Sequence, residues 1–153
     1  MQGMSLIVKN ITRLVAGFIA VFAVYDIVYG HVEPGGGFSG GVMLAASVVL
    51  VVLAFGGEFA GRVLSVEVAR WTASLAVLAF LVVGLGGYMV GQFFQNFLWR
   101  GEVGELASAG TLAITSLAVG IEVGAGLFAV FVALAVFRRG SQASAGSGGM
   151  LQP

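Results

Sequence analysis

No cysteine occurs among the 153 residues, which excludes disulfides, thiolate catalysis and cysteine-ligated zinc or iron–sulfur sites within this chain. Histidine occurs once, as His31, so a histidine-rich metal cage cannot be built from this chain alone. Charge is the largest deficit. Asp, Glu, Lys and Arg make up 9% of the residues, against about 25% in an ordinary soluble domain. The net charge is +0, and no basic run suggests a nucleic-acid partner. No nucleophile–base set and no cluster of metal-ligating residues is present, which makes an enzyme the least favoured class.

Apolar residues fill the space that these absences leave. The chain is 59% hydrophobic with a mean hydropathy of +1.05. A soluble chain this short has too high a surface-to-volume ratio to hide so much apolar surface, so the bilayer is its natural solvent. Crossing the hydrocarbon takes about 20 apolar residues as a helix. Four runs qualify, at about 8–29, 38–57, 67–90 and 109–137, and their continuous apolar character favours helices over barrel strands. The fold class expected is an all-α integral membrane bundle of four transmembrane helices in one domain, residues 1–137. The first run is too long for a signal-peptide core, and no small-residue cleavage site precedes the loop that follows.

Charge placement orients the bundle. With a cytoplasmic N-terminus, Lys9, Arg13, Arg62, Arg70, Arg138 and Arg139 fall inside and only Arg100 outside, beside Glu102 and Glu105. That asymmetry predicts both termini in the cytoplasm. Trp71 and Trp99 then sit at the two interfaces, and residues 138–153, small and polar, form a flexible cytoplasmic tail.

One stretch interrupts the apolar text: "GHVEPGGGFSGG", residues 30–41, which holds the only histidine and six of the 25 glycines. A phosphate cradle needs a preceding strand and usually a lysine, and neither is present. A turn explains more. Pro34 stops the first helix and biases Val32 and Glu33 towards extended backbone. Gly35, Gly36 and Gly37 open backbone angles closed to other residues. Ser39 is placed to cap the second helix, and Gly40 and Gly41 allow a neighbouring helix to approach. His31 either relays protons at the membrane edge or hydrogen-bonds a loop carbonyl.

The string of Gly30, His31, Pro34, Gly35, Gly36, Gly37, Phe38, Gly40 and Gly41 resembles the Gly-His-x-x-Pro-Gly-Gly-Gly-Phe-x-Gly-Gly signature of MrpB-like (MnhB) subunits of multisubunit cation/proton antiporters. The same subunit type occurs in the antiporter-like modules of membrane-bound hydrogenases and related respiratory complexes. The Thr-Arg pair of "NITRLVAGF" fits the family's first helix, and "FFQNFLWRGEVGELASAGT" with "LAVGIEVGAGL" looks like the hydrogenase-type branch. The likeness covers about residues 8–137. Val32 stands where many antiporter members carry Asn, and Glu122 where many carry Asp. The resemblance implies a subunit of a large assembly in the prokaryotic cytoplasmic membrane that couples Na+ and H+ movement. Its partners would be other membrane subunits and lipid, with no cofactor or redox centre in this chain.

Two acids fall inside the spans, where ionisable groups are costly and usually face protein or water. At helical spacing Thr111, Thr115, Ala118, Glu122, Gly126 and Ala129 share a small, hydroxyl-bearing face, with Gly120 and Gly124 roughly opposite as a second contact surface. In the first run, Asp26 lies about one turn from His31, near enough to share a proton path. The candidate ion path is therefore Glu122, Asp26 and His31 with Thr115. Two other readings stay open: a structural subunit that touches no ion, with both acids neutral or bonded to partner groups, and a small self-associating channel.

Overall fold

A computed structural model of the chain describes residues 4–31, 35–56, 65–98 and 109–148. Pro34, Glu33, Val32, Glu58, Arg62, Trp99, Arg100, Glu102 and Glu105 lie outside the described residues. The regular elements are α1 (Leu6–Tyr29), α2 (Gly37–Phe55), α3 (Val66–Gly86), a 3-10 turn at Gly87–Met89, and α4 (Thr111–Gly148). Four of these are long and apolar enough to cross a membrane: Leu6–Tyr29, Gly37–Phe55, Glu67–Met89 and Thr111–Ala135. The backbone of α4 continues beyond Ala135 into the stretch read from sequence as a tail.

Ser5 caps α1 and Ser65 caps α3, each accepting a hydrogen bond from the amide three residues on. Ser39 does not cap α2, contrary to the expectation. The helix begins two residues earlier, at Gly37, with Gly36 at the cap position and no side-chain cap bond. Glycine takes that place because Gly36 has φ 135°, ψ −174°, a region closed to side chains.

The helices pack in the order α1, α2, α4, α3, with α1 and α4 touching over a small area. Contacts along the α2–α4 seam advance together: Gly37 meets Ser116, Gly41 meets Gly120, and Leu44 meets Gly124. These two central helices therefore run parallel, and α3 makes the return on the far side of α4. The core is made of small residues. Ala16, Ala23, Ala45, Ala54, Ala69, Ala76 and Ala118 are buried, and Ile27 and Phe128 are the larger side chains among them. This is the packing expected in lipid, where no hydrophobic force joins helices and close backbone approach supplies the attraction. Large apolar side chains point outwards, among them Phe18, Phe22, Leu78, Val82 and Leu134.

Candidate functional site

The turn between α1 and α2 is built on Asp26. An acid in the last turn of a helix faces the negative end of the helix dipole, so it needs compensation. Ser39 supplies it, its Oγ donating to Asp26 Oδ2 at 2.5 Å and lying 3.1 Å from the Gly36 carbonyl oxygen. The first turn of α2, whose amides have no helical partners, lies beside the same carboxylate. Gly35 rests directly against that carboxylate, leaving no room for a Cβ.

The turn is locked to α4 as well. Ser116 Oγ donates to the Ile27 carbonyl oxygen at 3.1 Å, satisfying one of the acceptors that the end of α1 leaves open. Gly37 sits against the Ser116 carbonyl. Gly40 faces α1, where a Cβ would lie 2.7 Å from the Ala23 carbonyl oxygen. One short run of glycines thus lets α2 approach a helix on each side.

Between this turn and α4 lies a cavity of about 230 Å³, lined by Gly30, His31, Gly37, Phe80, Leu112, Thr115, Ser116 and Val119. His31 is half-buried and Thr115 is buried. Thr115 Oγ1 donates to the Leu112 carbonyl oxygen at 2.9 Å, which leaves its lone pairs as acceptors. Glu122 follows Thr115 by seven residues, two helical turns or about 10 Å along the axis, on nearly the same face. It is half-buried and makes no hydrogen bond or ion pair among the described residues. A Cβ added at Gly126, one turn further, would have nothing within 4 Å. His31 and Thr115 are thus brought into one cavity, with Glu122 in line beyond it. Asp26 is not in that cavity and is engaged at the turn. Among the described residues no group of three His, Asp or Glu is placed to hold a metal ion.

Across the bundle a second cavity of about 250 Å³ lies between α2, α3 and α4, lined by apolar groups including Leu44, Val48, Ala69, Gly124 and Phe128, with Thr72. At the turn end, the segment after α3 folds back on its own helix. Phe94 N donates to the Gly84 carbonyl oxygen at 3.1 Å, and its ring packs against Phe80 in a tilted arrangement with centroids 5.1 Å apart. Asn96 Oδ1 then accepts from the Thr111 amide at 3.1 Å, capping α4 from fifteen residues upstream.

Sequence reasoning missed Ser116 and Asn96 and gave Ser39 the wrong role. Ser116 had a signal, since it precedes Gly120 and Gly124 at four-residue spacing. Asn96 had none, because its partner is distant in sequence.

Residues 7–129 match a family profile described as a domain related to the MnhB subunit of Na+/H+ antiporter. One of the subunits of the Na+/H+ antiporter of Bacillus subtilis is 34% identical over 89 residues, covering 58% of this chain and 62% of that protein. An uncharacterized protein of Methanocaldococcus jannaschii is 27% identical over 128 residues, covering 79% of this chain and 48% of the relative. Among solved structures, a chain of the membrane-bound sulfane sulfur reductase, an archaeal respiratory membrane complex, superposes with a TM-score of 0.71 at 31% identity. That match covers 83% of this chain and 56% of the other. The chain thus spans about half to two-thirds of the length of these relatives.

Proposed function

This chain belongs to the MnhB family of antiporter-related membrane domains, and from that premise we propose that it is a non-catalytic subunit of a larger ion-translocating assembly. The assembly is a multisubunit Na+/H+ antiporter or an antiporter-containing respiratory complex, of the membrane-bound hydrogenase or sulfane sulfur reductase kind. It resides in a prokaryotic cytoplasmic membrane with both termini of the chain inside, an orientation supported by the placement of Lys and Arg. The chain carries no cofactor of its own. It contributes contacts to neighbouring subunits through its outward apolar faces, and one section of an ion path.

The observation that carries the ion-path reading is the alignment of His31, Thr115 and Glu122 along one side of α4, beginning in a cavity. Hydroxyls and a histidine at the turn end can hold water or pass a proton. A carboxylate near mid-span, without a partner among the described residues of its own chain, is expensive to keep in a membrane unless it works there. Asp26 serves the path indirectly, by holding the turn that presents His31.

Glu122→Gln in the assembled complex is the test. Cation-dependent proton exchange in everted vesicles is expected to fall about tenfold or more, because the charge that justifies a half-buried intramembrane acid is gone. Glu122→Asp, which keeps the charge, should retain exchange. Unchanged exchange with normal assembly would leave a purely structural subunit. Ion conduction by the purified chain alone in liposomes would favour the channel reading instead.

A further inference from the structure

At the opposite end of the bundle, where α1 begins and α2 ends, we propose that Lys9 and Arg13 form a binding site for the phosphate of an anionic phospholipid, independent of the ion path. The two residues are one turn apart on one face of α1. Both cations converge on the ring of Phe55, Lys9 Nζ at 5.8 Å and Arg13 Cζ at 5.3 Å from its centroid. Arg13 lies seven residues into a helix that spans from Leu6, about 10 Å along the axis, so its stem runs along the helix towards the membrane edge.

Among the described residues no acid answers this charge. Arg70, at the same end, pairs with Glu67 at 3.8 Å, but neither Lys9 nor Arg13 makes an ion pair with an acid among the described residues. Two like charges at this spacing repel. The C-terminal end of α2 beside them offers only about half a negative charge. A phosphodiester supplies a full one, with oxygens that match a guanidinium fork while the ammonium acts as a point charge.

The surroundings select a lipid rather than free phosphate or a protein carboxylate. Arg13 is exposed at the edge of the α1–α2 pair. One turn deeper on the same side stands Gly17, where a Cβ would meet nothing within 4 Å. An acyl chain descending from a headgroup held at Arg13 would meet this open position and the exposed Leu14 and Phe18 beside it.

Native mass spectrometry of the full chain in detergent tests this, with phosphatidylglycerol, phosphatidylcholine or inorganic phosphate added in turn. Phosphatidylglycerol is expected to be retained over phosphatidylcholine by about thirtyfold, roughly fivefold from each cation. Lys9→Gln with Arg13→Gln should abolish the preference, each single change should reduce it, and Gly17→Leu should weaken retention of the lipid while the chain stays folded. Equal retention of the two lipids, or a preference that survives the double change, overturns the proposal. So does inorganic phosphate binding as tightly as the lipid. If the wild type shows no preference and Glu58→Gln creates one, a protein carboxylate holds the site and the lipid reading fails.

Discussion

Replacing Gly41 with alanine adds one methyl group at the tightest seam of the bundle, and its cost follows from three distances. The new Cβ would lie 2.6 Å from the Gly120 carbonyl oxygen, 2.9 Å from Val123 Cβ and 3.2 Å from Gly120 Cα. Two of these are backbone atoms, which cannot rotate away. Carbon–oxygen contacts between helices settle at about 3.3 Å or more, so α2 and α4 must part by about 0.7 Å. A gap of that size forfeits a quarter to a half of each contact well along the seam, and lipid does not press the helices back together. Because α1 is packed on α2, the 3.1 Å bond from Ser116 to Ile27 stretches with it. Overpacking costs about 1–3 kcal/mol and the bond about 1 kcal/mol, offset by up to about 1 kcal/mol for alanine over glycine in a helix. The net loss is about 1–3 kcal/mol. Gly126→Ala makes the same chemical change in α4 where a Cβ meets nothing within 4 Å; it keeps the propensity gain alone. Thermal unfolding of the full chain in detergent, followed by far-UV circular dichroism, compares the two. If both variants unfold at the same temperature, the parallel glycine seam is not what holds α2 to α4.

Ser39→Ala removes the 2.5 Å bond to the Asp26 carboxylate and should cost about 1.5–3 kcal/mol, the usual worth of a hydrogen bond to a charged group; Ser39→Thr should restore most of it in the same unfolding assay. Thr115→Val keeps the shape and loses only a local bond to the Leu112 carbonyl, so stability should change by less than about 1.5 kcal/mol. Proton exchange by the assembled complex should nonetheless slow, because the cavity loses a hydroxyl; unchanged exchange would remove Thr115 from the path.

The four spans were legible because a membrane helix needs no partner to declare itself: length and apolarity suffice. Their ends were less so. Gly37 starts α2 where Ser39 looked like the cap, since the pattern of a serine before an apolar run says nothing about an acid thirteen residues upstream that claims the same hydroxyl. The face of Thr111, Thr115 and Ala118 was legible from helical spacing, and those residues are buried. The order of helices was not legible. Placing α2 beside α4 rather than α3 depends on which small-residue stripes meet, and Gly37–Gly41 fits Ser116–Gly120–Gly124 only when the two run parallel. Likewise the capping of α4 by Asn96 depends on a fold-back at Phe94, whose φ of 61° no local propensity foretells.

The two acids inside the spans are both candidates from sequence, and their surroundings in the structure differ. Asp26 has a donor hydroxyl, a helix N-terminus and a glycine pressed against it, so its charge is accounted for by the turn it builds. Glu122 has none of these among the described residues. An intramembrane carboxylate left unpaired by the described residues of its own chain is either neutral or answered by an ion, by water or by a neighbouring subunit. Removing Asp26 should therefore damage the fold first and exchange as a consequence, whereas removing the charge of Glu122 should damage exchange while the isolated chain keeps its stability. That opposition separates a structural acid from a working one more sharply than the loss of activity in either variant alone.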